Sequence, residues 1–230
     1  MVRTSRNMDR PSRLFHFIES AILAAPRRKL RKASRKKIGA AVTALQQVRE
    51  TRIKLAKYNM PDVLHLYDAS QFCIAYAADL TVLTRDMACA RDWWEERLYA
   101  RLLALTMLEC VEDLPVILGK KFRNSLAAVV PNNEYKQRLS KISSNLSAFK
   151  KRHERELRHI RQIAAAHRDH DPNVLISLIE QLDMKKLMKM AGALHDLQTE
   201  FARVMTKVFL NINAVKEVLK AFSSKAQIQA

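Results

Sequence analysis

Hydrophobic positions in this chain recur at steps of three and four, the period of helices that bury one face. The clearest stripe starts near Asn133: Tyr135, Leu139, Ile142, Leu146, Phe149, His153, Leu157, Ile160, Ile163 and His167 follow one another at that spacing. This helix should end at about Arg168, because Pro172 disfavours helical backbone at Asp171. Upstream, "NMPD" at 59–62 breaks the pattern, and helices are expected from about Val63 to Ala90 and from about Asp92 to Leu118. In the second of these, Leu98, Leu102, Leu105, Leu108, Val111 and Leu114 or Pro115 form the expected buried stripe, and Gly119 suits a C-cap. Residues 120–133 read as a connector with one helical turn near Ser125–Val130. The last element is expected over Asn173–Ala221 with a break near Asp183.

The start of the chain reads as a basic arm (1–11), a short helix (12–25) closed by Pro26, and a basic amphipathic helix after it. In that helix Ile38, Ala41, Leu45, Val48, the stem of Arg52, and Leu55 share one face. Three glycines and six prolines in 230 residues leave few breakers, which favours long helices over a sheet. The fold class is therefore all-α: an up-and-down bundle of four to five long helices over 58–230, with a basic helical N-terminal extension over 1–57.

Charge adds a partner. The net charge is +18, and residues 1–57 hold sixteen Lys or Arg against Asp9, Glu19 and Glu50, a balance of +13. Such an excess points to a polyanion, because phosphate contacts release condensed counterions. The densest run supplies Arg27, Arg28, Lys29, Arg31, Lys32, Arg35, Lys36 and Lys37 as nucleic-acid contacts, and a solubilising tail is the plainer alternative. Cys73, Cys89 and Cys110 are widely spaced in apolar helical context, which reads as buried reduced thiols in a cytoplasmic protein. No apolar run of ~18 residues exists to cross a membrane.

Four histidines lie between His153 and His170, among the five arginines Arg152, Arg155, Arg158, Arg161 and Arg168. In "RQIAAAH", Arg161 can grip a phosphate with two prongs, and His167 can move a proton near neutral pH. Together they could cleave RNA without a metal, the imidazole acting on the 2′-hydroxyl or the leaving oxygen while the guanidinium stabilises the phosphorane-like charge. The bland reading is a helix C-terminus whose cations complement the macrodipole. Six residues rotate an ideal helix by about 240°, so the two groups converge only if the helix distorts or a second chain brings its own copy. Arg158 and Arg168 are further phosphate candidates, although Glu154 is a ready partner for Arg158.

"LRHIRQIAAAHRDHDP", followed by a long amphipathic C-terminal helix, resembles the HEPN superfamily, most of all its abortive-infection-like branch with an R-x4–6-H motif. "ARLLALTMLECVEDLPVIL" is similar to a bundle helix of such proteins. The resemblance covers about residues 62–222. It implies a homodimer in which two motifs meet as a metal-independent endoribonuclease, with RNA as substrate, no cofactor, and an antitoxin or phage-defence partner. Carried over by motif, Arg161 and His167 are the catalytic pair, while Gln162 departs from the Asn, Asp or His that often follows the motif Arg. The alternative is a non-catalytic helical protein that binds nucleic acid or acts as an adaptor.

Other groups have plainer roles. "HRDHD" at 167–171 reads as a polar loop before a metal site. Glu109, Glu112 and Asp113 read as a solvated face. Of Trp93 and Trp94, which could stack bases, one is expected to anchor the core.

Overall fold

A computed structural model describes residues 10–130, 133–165 and 172–228, with side chains described for 25–130, 133–162, 172–173 and 176–212. Every regular element among them is an α-helix: α1 (Arg10–Ala56), α2 (Pro61–Ala88), α3 (Trp93–Ile117), α4 (Lys120–Val129), α5 (Asn133–Ala165), α6 (Pro172–Glu180) and α7 (Met184–Ile228). None of the described helices is long and apolar enough to cross a membrane.

The helix boundaries follow local chemistry. Asn59 takes the left-handed conformation (φ 49°) in the turn before α2, which a short polar side chain tolerates, and Pro61 opens that helix at its first turn. Asp92 caps α3 by accepting from the Glu95 amide at 2.8 Å, while the Glu95 carboxylate accepts from the Arg91 amide at 2.6 Å. The expected break near Asp183 is present: Asp183 accepts from the Lys186 amide at 3.0 Å and so starts α7.

α2, α3, α5 and α7 form an up-and-down bundle in which each neighbouring pair runs antiparallel. α3 lies beside α2 and α5, and α7 closes the ring against α5 and α2. Leu66, Leu103, Met107, Leu108, Leu157 and Leu194 are fully buried in its centre. The α5 stripe lies where periodicity puts it: Tyr135, Leu139, Ile142, Leu146, Phe149, Leu157 and Ile160 are buried and His153 is half-buried. α1 docks antiparallel along the outside of α2. Arg31 reaches the Cys89 carbonyl at one end, and Arg52 clasps Asp68 at the other. Its expected face packs inward, with Leu55 in the common core.

Four expectations are corrected. α1 runs through Pro26 instead of stopping there. A proline inside a helix forfeits one backbone hydrogen bond, and strong helix formers on both sides carry the helix past it. The α3 stripe is turned by about one residue: Ala100, Leu103, Ala104, Met107, Leu108 and Val111 are buried, while Leu98 and Leu102 are each 40% exposed. α3 packs against α2, α5 and α7 together, so its buried arc is wide, and small Ala and Met positions share it. The supposed connector is helix α4, whose Phe122, Ser125 and Leu126 are buried under the bundle.

Gly119 is the fourth. It caps the start of α4 in extended backbone (φ −71°, ψ −158°) instead of ending α3 in the left-handed region. A Cβ there would lie 2.8 Å from the Val116 carbonyl oxygen, so the tight α3–α4 joint itself requires glycine. Gly119→Ala is expected to lower unfolding free energy by about 1–3 kcal/mol in urea titration. A loss under about 0.5 kcal/mol, the range of an ordinary surface change, would count against this account.

Candidate nucleic-acid interface

The basic run of α1 winds around three sides of the helix because each residue advances about 100°. Ser34, only 6% exposed, marks the side against α2. Arg28, Lys32 and Lys36 stand one turn apart on the outward side. Arg27, Arg31 and Arg35 form a row on one flank, and Lys37 lies on the other. All are exposed except half-buried Arg27, and none forms an ion pair with a described carboxylate.

The Arg31–Arg35 flank meets the α2–α3 turn in an open polar cleft of about 340 Å³, which also receives Arg85, Asp86, Arg91, Glu95 and Tyr99. Both acids are already engaged. Asp86 holds Arg85 with two contacts of 2.6 and 2.8 Å, and Glu95 lies 3.7 Å from Arg91. Four guanidiniums against two carboxylates leave the cleft at +2. Arg31 spends a donor on the Cys89 carbonyl at 3.5 Å, and Arg35 remains unpaired among the described residues. The cleft can therefore take phosphate oxygens by charge-assisted contacts.

The same turn carries Trp93 and Trp94, which are 42% and 51% exposed. Neither anchors the core, because the buried positions of α3 begin at Ala100. Their rings sit 5.6 Å apart at 43°. Each lies beneath a guanidinium, Arg97 over Trp93 and Arg101 over Trp94, both at 5.7 Å. Arg101 is itself buried, and desolvation pulls its pKa down. The guanidiniums hold one side of each ring, and exposed π-surface beside a cationic cleft is the arrangement that stacks bases of a single strand.

The motif region is only partly described. Arg161 is exposed near the end of α5 and forms no ion pair with a described residue. His167, Arg168 and the rest of "HRDHD" lie outside the described residues. Arg158 is committed elsewhere: it pairs with Glu154, as its spacing suggested, and with Glu112 of α3. Glu112 is thus a structural partner and not a solvated acid, and Asp113 accepts from the Tyr76 hydroxyl. Arg158 braces α5 against α3 and has little left for phosphate. His153 lies against Phe149 with ring centroids 4.7 Å apart, and burial lowers its pKa.

The three cysteines are free and buried. Burial pushes the Cys110 thiol up to about 12, and the Cys73 thiol also moves strongly upward, so both stay protonated and unreactive. Arg85 and Arg91 were not singled out by sequence reasoning. The signal existed in "TRDMACARD", where two Arg-Asp pairs flank a helix break, but their meeting with Arg31 and Arg35 depends on how α1 docks. No family model, no curated protein and no solved structure matches the chain.

Proposed function

We propose that this chain is an RNA-binding helical bundle that cleaves its bound RNA in the manner of HEPN endoribonucleases. The observation that supports binding is the unneutralised cationic surface of α1, which continues across the cleft to Arg85 and Arg91. The phosphate backbone lies along Arg28, Arg31, Lys32, Arg35 and Lys36, and unpaired bases stack on Trp93 and Trp94. The cutting step rests on the resemblance carried by Arg161 and His167. Arg161, exposed and unpaired among the described residues, is available to hold the scissile phosphate. His167 exchanges the proton, and a homodimer supplies two such pairs. An antitoxin or defence partner belongs to the same reading.

The test is cleavage of single-stranded RNA in excess EDTA. The expected products end in 2′,3′-cyclic phosphate, and Arg161→Ala and His167→Ala each abolish cutting while leaving RNA affinity within about threefold, because the α1 contacts supply most of the binding. Cleavage that persists in both variants removes the pair from the mechanism. The second reading is binding without cutting, favoured by Gln162, which is exposed beside Arg161. It is established if salt-sensitive RNA binding occurs with no cleavage under any of these conditions.

A further inference from the structure

The cleft where α1 meets the α2–α3 turn is built differently from the rest of the basic surface. Along α1 the cations stand in rows, about one 5.4 Å turn apart, so each faces its own phosphate of a passing strand. In the cleft they converge on one space from three elements: Arg31 and Arg35 from α1, Arg85 from α2, and Arg91 from the turn. Its volume of about 340 Å³ lies at the small end of ligand pockets, roughly 300–1,000 Å³. That suits one nucleotide's phosphate and sugar better than a run of backbone.

The charge in the cleft has a definite source. Asp86 turns both carboxylate oxygens on Arg85. Glu95 accepts from the Arg91 amide and lies beside the Arg91 guanidinium. These two pairs cancel, so the remaining +2 belongs to Arg31 and Arg35, which form no ion pair with a described carboxylate. Arg31 spends one guanidinium donor on the Cys89 carbonyl, and Arg35 spends none among the described residues. A phosphodiester inside a strand carries a single negative charge. A phosphate monoester at a strand end carries close to two at pH 7, with three strong acceptor oxygens. The monoester is the group whose charge balances this cleft and whose oxygens can meet donors from more than one wall.

We propose that the cleft binds the terminal phosphate monoester of a single-stranded RNA, so that the protein selects strands by a phosphorylated end. This assignment rests on the RNA reading and names the form of RNA that fits best. From the cleft the strand leaves over the outward side of α1, where Arg28, Lys32 and Lys36 take its internal phosphates. A strand leaving in one direction presents one kind of end, 5′ or 3′, to the cleft. The remaining groups on the lining are Cys89 and Tyr99, and no histidine is among them, so the ligand itself is the group that titrates near pH 6.

The test is competition binding to the full chain by three strands of one sequence: 5′-phosphate, 3′-phosphate, and hydroxyl at both ends. Riboses carrying 2′-O-methyl groups keep the strands from being cut by the proposed chemistry. At pH 7.5 one phosphorylated strand should bind about tenfold more tightly than the hydroxyl-ended strand, the factor of one added ion contact. At pH 5.5 that preference should shrink to within about threefold, because the monoester takes up a proton and becomes a monoanion. Arg35→Gln, a change at an exposed helix position, should erase the preference. Arg28→Gln with Lys36→Gln, outside the cleft, should weaken all three strands alike and leave the preference intact. Equal affinity for the three strands overturns this assignment and leaves the RNA reading standing, whereas no binding by any strand overturns both. An equal gain for both phosphorylated ends, a preference unchanged at pH 5.5, or one that survives Arg35→Gln also overturns the assignment.

Discussion

Replacing Arg31, Lys32, Arg35 and Lys36 together by glutamine is expected to weaken single-stranded RNA binding by about a hundredfold at 0.15 M salt. Each phosphate contact on a single strand contributes about 0.7 to the slope of log affinity against log salt. Four lost contacts should therefore lower the slope by about 3, which is the larger part of the interaction that α1 supplies. The four side chains are exposed and unpaired with any described acid, and glutamine is a good helix former, so the fold should be preserved within about 0.5 kcal/mol. Fluorescence anisotropy at several salt concentrations checks both quantities. Lower affinity with an unchanged slope would mean that these residues do not touch phosphate. Trp93→Ala with Trp94→Ala should behave differently, weakening single strands by loss of stacking while leaving the slope intact, because stacking releases no counterions.

Phe122→Ala is expected to cost about 3–5 kcal/mol of stability, the range for removing a large aromatic from a core. Phe122 is 1% exposed, and its ring lies 6.0 Å from that of Phe201 on α7. It is the main plug by which α4 seals the end of the bundle, beside Leu126 and Leu118. For a chain of this size the change should lower Tm by roughly 10 °C or more. Differential scanning calorimetry of the variant decides the point. A fall of only one or two degrees would show that α4 is a loosely held connector, as its sequence suggests, and not part of the core. The substitution is distant from the basic face of α1, so RNA affinity measured below the new Tm should not change.

The reason α4 is hard to read in advance is specific. "KKFRNSLAAV" has one aromatic, one Leu and several polar residues, and its ten residues give periodicity little room to declare itself. Its helix depends on α2 and α5 receiving Phe122 and Leu126. α5 is the opposite case. Its 33 residues repeat the same stripe through eight turns, and only one face can be buried. The α3 stripe holds at Leu108, Val111 and Leu114 and fails at Leu98 and Leu102 for a third reason. Counting only leucines assumes a narrow buried face, whereas contact with three helices buries Ala100, Ala104 and Met107 and leaves Leu98 and Leu102 half in solvent.

By itself the sequence determined that the chain is helical, where α2, α3, α5 and α7 run, that α1 is cationic, and which face of α5 and α1 is apolar. These follow from hydrophobic period, breakers and charge counts, properties of neighbours along the chain. Tertiary structure alone decided that Arg31 and Arg35 meet Arg85 and Arg91, and that Trp93 and Trp94 stand in solvent. Each of these turns on the angle at which one helix docks against another. That angle is set by the summed packing of many small contacts, and no local stretch of sequence contains it.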